Sequence, residues 1–138
     1  MANSFIVIQS IGHRLVFDFS FDTAMENRIE LFKNDIPDRI LERNNLIPGS
    51  TVPFDTGINT TNENISWKIK GACHESSNSA WLDNDGKELP GASNERKFGF
   101  DDTGGGGPKD NDFNDGICTV KFFLENGAVA QPSSVYSG

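Results

Sequence analysis

The stretch Arg14-Leu15-Val16-Phe17-Asp18-Phe19-Ser20-Phe21-Asp22 decides the fold class. Leu15, Phe17, Phe19 and Phe21 alternate with Val16, Asp18, Ser20 and Asp22. That period of two gives a strand one apolar face and one mostly polar face. Upstream, Phe5-Ile6-Val7-Ile8 is a shorter apolar strand, broken at Gly12-His13. Downstream, Arg28 to Lys33 alternates again, and the spacing predicts a hairpin with the first stretch.

The rhythm continues to the end of the chain. Asn34 to Pro37 is a turn, and Asp38 to Asn45 reads either as one or two helical turns or as an irregular strand. Thr51-Val52-Pro53-Phe54 suits an edge strand, because proline is poorly tolerated in a central one. Ile65, Trp67 and Ile69 alternate with Ser66, Lys68 and Lys70. Ala80-Trp81-Leu82 is a short strand, and Asp83-Asn84-Asp85-Gly86 has hairpin-turn chemistry. Arg96 to Phe100 and Ile117 to Leu124 are the last two strands.

Eleven Phe against one Tyr, much Gly, Asn, Ser, Thr and Asp, and no long helical periodicity complete an all-β pattern. The expectation is an antiparallel β-sandwich of about nine strands, jelly-roll or Greek-key-like. At 138 residues it forms one domain, residues 1–126, with a small polar tail, 127–138, that is partly ordered or available to an interface.

The net charge of −8 argues against nucleic acid and anionic membrane surfaces as partners. No apolar run approaches the ~20 residues of a membrane span, so membrane insertion is not expected. The N-terminus shows no signal peptide, which implies a cytoplasmic protein or one exported by a non-classical route. Cys73 and Cys118 do not make a disulfide framework. Cys118 falls within a strand and reads as a small core residue, while a bridge to Cys73 stays open.

The chemistry is concentrated between Asp101-Asp102 and Asp110-Asn111-Asp112-Phe113-Asn114-Asp115, on either side of Thr103 to Lys109. Five carboxylates and two amides fall within fifteen residues. Like charges that close repel unless something positive sits among them. Oxygen-only donors point to a hard cation, Ca2+ before Mg2+, and the absence of His and Cys argues against zinc. The loop is not an EF-hand: Asp115 stands where that motif needs Gly, Lys121 where it needs Glu, and a strand follows instead of a helix. The plainer alternative is a solvated acidic turn. The Gly104 to Gly107 run is no P-loop, and no Ser/His/Asp set, nucleophilic Cys or glycosidase-type carboxylate pair is evident, so no enzyme is expected.

The acidic run followed by a strand resembles the calcium loop of the two-calcium fucose- and mannose-binding bacterial lectins of the pseudomonal type. Those carry an acidic pair, a Gly, and then Asp-Asn-Asp-Tyr-Asn-Asp before the last strand; here Phe113 stands for the Tyr. Arg14 to Ala24 resembles that family's Arg-led strand, which ends in a calcium ligand and the sugar-specificity loop. The resemblance implies two Ca2+ ions per subunit. Asp101, Asp110, Asp112 and Asp115 would hold one, and Asp22, Asp112, Asn114 and Asp115 the other, with Asp112 and Asp115 bridging. Asp102 would contact the sugar, and Thr23-Ala24-Met25 would be the specificity loop. A monosaccharide of fucose or mannose type would then lie among Asp22, Thr23, Ala24, Asp102, Asp110, Asp112, Asn114 and Asp115. A homo-oligomer, dimer or tetramer, is implied as well. The chain departs in having Asp22 where the family has Asn, in the Gly104 to Gly107 insertion, which leaves Asp101 and Asp102 interchangeable as the upstream ligand, and in a terminal Gly138 a dozen residues late. A different class stays open beside the lectin: a structural or adhesion module in which calcium only orders the loop. A metal-dependent hydrolase is a third.

Overall fold

The computed structural model describes residues 2–74, 79–102 and 112–138. The chain runs β1 (Ser4–Gln9), β2 (Arg14–Phe21), β3 (Glu26–Lys33), β4 (Leu41–Asn44), β5 (Phe54–Ile58), β6 (Ile65–His74), β7 (Leu82–Asp83), β8 (Asp85–Leu89), β9 (Glu95–Asp101), β10 (Gly116–Phe123) and β11 (Tyr136–Ser137). Nine of these strands have four residues or more; β7 and β11 have two each. No helix forms among the described residues, and so none there is long and apolar enough to cross a membrane.

Two antiparallel sheets face each other. One has the order β11-β1-β6-β3-β4, with β7 on β6; the other is β5-β2-β10-β9-β8. The all-β antiparallel sandwich expected from alternation is the fold observed. Inward residues of β2, β9 and β10 (Leu15, Phe17, Phe19, Phe98, Phe100, Cys118, Val120, Phe122) meet Val7, Ile29, Leu31, Trp67 and Ile69 of the other sheet in one core. Burying a side chain of this size contributes roughly 1.5–3 kcal/mol. Phe5 stacks on Phe98 with centroids 4.6 Å apart, and Phe17 meets Trp67 edge-on at 5.8 Å, geometries that aromatic quadrupoles favour.

Several local expectations are corrected. The predicted β2–β3 hairpin does not form: β2 pairs with β10 and β5, and β3 with β6 and β4, so residues 22–25 cross from one sheet to the other. Both strands bury one face, and a sandwich buries them equally well in opposite layers. Asp83 to Gly86 is likewise a crossing, since β7 pairs with β6 and β8 with β9. Of the two readings left open for residues 38–45, the strand is the one that forms, as β4. The bridge between Cys73 and Cys118, left open by the sequence, is not formed, and both thiols are buried. The tail is also better held than its composition suggested. Tyr136 and Ser137 pair with β1, Gly138 N–H donates to Ser4 O at 3.0 Å, and Ala130 is 6 % exposed within the core.

Candidate functional site at one end of the sandwich

Register assembles the site. β10 is the central strand of its sheet, and Gly116 at its start pairs with Phe21 of β2 on one side and Phe100 of β9 on the other. The next residue out along β2 is Asp22, and along β9 Asp101 and Asp102. The residues entering β10 are Asp112 to Asp115. Three segments distant in sequence therefore bring their carboxylates to one end of one sheet.

Hydrogen bonds link the three segments. Asp102 N–H donates to Asp115 Oδ2 at 2.7 Å, and Asp22 N–H to the Asp115 carbonyl at 3.3 Å. Asn114 Nδ2 donates to Asp22 Oδ2 at 3.3 Å, and Asn114 N–H to Asp112 Oδ1 at 3.3 Å. Asp101, Asp112 and Asp115 each bring an oxygen within 4.8 Å of the others; Asp101 and Asp115 are buried, and Asp112 is exposed. Burial pushes the Asp115 carboxyl up to about 7, helped by its hydrogen bond to the Asp101 carboxyl and the charges of Asp102 and Asp101, against the pull of the Asp102 amide. Asp102 Oδ1 and Asn114 Oδ1 are buried acceptors without a hydrogen bond among the described residues.

These features fit a hard cation. All donors are oxygens, they converge, and the crowded carboxylates hold a proton where a cation would relieve them. The loop itself is built under constraint. Phe113 lies in the left-handed region at φ 56°, unusual for a bulky side chain, with its ring buried beneath the Lys87 ammonium at 4.7 Å. Its carbonyl lies so close to β9 that a Cβ at position 99 would meet it at 2.1 Å, so Gly99 is required there.

Of the residues read from the sequence, Asp22, Asp101, Asp102, Asp112, Asn114 and Asp115 come together here. Thr23 joins them: its Oγ1 donates to Asp102 Oδ2 at 3.0 Å and accepts from Met25 N–H at 3.2 Å. Ala24 is exposed on the same crossing. Asp110, like the Gly104 to Gly107 run, lies outside the described residues. Sequence reasoning missed Asn27 and Asn45. Asn45 Nδ2 donates to Met25 O at 3.0 Å and Thr23 O at 3.4 Å, and its Oδ1 accepts from Asn27 N–H at 2.7 Å. Its only sequence signal was an Asn pair after a strand, which ordinary turn chemistry also produces.

At the opposite end of the strands a cavity of about 310 Å³ is lined by Gln9, Phe54, Ile65 and Trp67 among others. The Gln9 side chain is fully used there, donating to the His13 and Gly57 carbonyls and accepting from the Trp67 indole. The convergent polar groups are at the acidic end.

The class that this architecture defines is the two-sheet antiparallel β-sandwich, a fold shared with a bacterial lectin domain. Among solved structures, the C-terminal domain of the BC2L-C lectin from Burkholderia cenocepacia is similar with a TM-score of 0.50 and 14% identity, over 87% of this chain and 94% of that one. The Chromobacterium violaceum lectin CV2L, in complex with alpha-methyl-fucoside, has a TM-score of 0.46 and 18% identity, over 87% and 95%. The Ralstonia solanacearum high-affinity mannose-binding lectin has a TM-score of 0.46 and 18% identity, over 84% and 92%. No protein-family model matches the chain, and comparison with curated proteins finds no match. At such identities the likeness is one of fold.

Proposed function

We propose that the chain is a calcium-dependent lectin that binds fucose- or mannose-type monosaccharides without catalysis. The observation that carries this reading is the convergence of Asp101, Asp112 and Asp115 beside the Thr23–Asp102 pair at the rim of a lectin-type sandwich. Asp22, Asp101, Asp112, Asn114 and Asp115 would hold Ca2+, with Asp110 added from the same acidic run. When bound, paired Ca2+ ions offer open coordination positions that vicinal sugar hydroxyls can fill. Asp102 accepts a hydrogen bond from a bound hydroxyl, and its charge strengthens that bond. The 23–25 crossing limits which sugar fits. A dimer or tetramer belongs to the same reading and is checked by light scattering.

Calorimetric titration with L-fucose and D-mannose, with calcium and with EDTA, tests the proposal. Saturable heat that vanishes in EDTA is expected. Calcium-dependent stability with no sugar heat at millimolar ligand would refute it in favour of a calcium-ordered structural module. A hydrolytic activity lost in EDTA would refute it in favour of a metal-dependent hydrolase.

A further inference from the structure

We infer that Asn45 is a positioning residue for the 23–25 loop and thereby sets sugar preference. The inference rests on the lectin reading above. The crossing is held at its β3 end by side-chain amides of that sheet. Asn45 stands just after β4, and its side chain makes three hydrogen bonds: to Met25 O, to Thr23 O, and from Asn27 N–H. The amide orientation follows from these partners, because Oδ1 faces a donor and Nδ2 faces two carbonyls. Its backbone N–H donates to Asn27 O at 3.1 Å, so the residue is anchored to β3 independently of the loop.

Asn27 completes the bracket. It is 1 % exposed; its Nδ2 donates to Met25 O at 3.1 Å, and its Oδ1 accepts from Asn84 Nδ2 at 2.9 Å. Met25 O therefore receives two amide donors. At its start the crossing is tied to the other sheet by Thr23 Oγ1 on Asp102. The loop is a strut between the sheets, with an acidic end at Asp102 and an amide end at Asn45. Asn45 touches none of the acidic residues in these contacts. Its loss would shift the Thr23 hydroxyl and Ala24 while leaving the carboxylate cluster in place.

The experiment compares wild type with Asn45→Ala and Asn45→Asp. The Asp variant keeps the acceptor for Asn27 N–H but turns an oxygen toward two carbonyls. Both variants, in saturating calcium, are expected to bind L-fucose and D-mannose about tenfold or more weakly, with a changed fucose-to-mannose ratio. The calcium concentration giving half-maximal thermal stabilisation should stay within about twofold of wild type, a split that general loosening of the fold would not give. Unchanged sugar affinity and ratio in the folded Ala variant would overturn the inference, as would parallel loss of calcium and sugar binding. Should the wild type itself bind no sugar, the lectin reading falls. Amide exchange then decides the role of Asn45: faster exchange of residues 23–25 in Asn45→Ala supports the strut, and unchanged exchange overturns it.

Discussion

Asp115 is buried among the carboxylates of the rim. Its carboxyl titrates near 7 in the folded chain against an ordinary 3.8. Between those values the folded state binds a proton that the unfolded state has released. In EDTA, stability should therefore fall as pH rises from about 4 through 7 and level off above it. Adding calcium should reverse the trend, because the cation competes with that proton and binds better as pH rises. Melting curves from pH 5 to 8, with EDTA and with calcium, check both halves; an EDTA-treated protein whose stability climbs with pH would contradict the burial of Asp115. Asp112, by contrast, is exposed and bonds to the Asn114 backbone. Asp112→Ala should fold in EDTA much as wild type does, yet lose calcium stabilisation and at least about 100-fold of sugar affinity, since it would remove the carboxylate proposed to bridge the two ions. Micromolar sugar binding by the folded variant would sink the two-calcium arrangement. The clustering of the acidic residues was legible from sequence because five carboxylates fall within fifteen residues. Asn45 was not, since an amide that caps distant carbonyls looks the same as one that makes a turn.

At the scale of elements, alternation told strand from helix but not which sheet each strand joined. The β2 and β3 stretches have the same binary pattern whether they pair or face each other, so the pattern could not exclude a hairpin. What separates them is the four-residue crossing, held by Asn45 on one side and Asp102 on the other. The tail was misread for a related reason. Small polar residues give little hydrophobic signal, yet backbone pairing on β1 and one buried alanine fix them. Ser133 contributes too: its Oγ accepts from Ile8 N–H at 2.9 Å, and its carbonyl from Arg96 Nε at 3.1 Å. Truncation after Asn126 should therefore destabilise the domain by about 2 kcal/mol, or roughly 5–10 °C in Tm. Urea unfolding measures it, and a truncated chain as stable as the full one would show that these contacts contribute nothing net.

For the molecule as a whole, the two sheets set one acidic rim against one short loop, and under the lectin proposal that pairing would select the sugar. The Thr23 hydroxyl both donates to Asp102 and accepts from Met25 N–H, so it is held facing the acidic rim. Under the lectin proposal, a ligand hydroxyl arriving there would meet Thr23 and Asp102 as a pair. Met25, two residues on from Thr23, is partly exposed. A sugar methyl buried against its side chain would contribute about 0.8 kcal/mol, a few-fold in affinity. L-fucose should therefore outcompete D-mannose by a few-fold in calcium, with D-galactose weaker than either. Met25→Ala should narrow the fucose advantage without touching calcium stabilisation, because Met25 supplies no cation ligand. Competition on a glycan array with the three monosaccharides reads the order directly. A galactose preference would show that the loop does not act as proposed even with the calcium ligands correct, and equal, very weak binding of all three would leave the rim as a calcium clamp that only stabilises the fold.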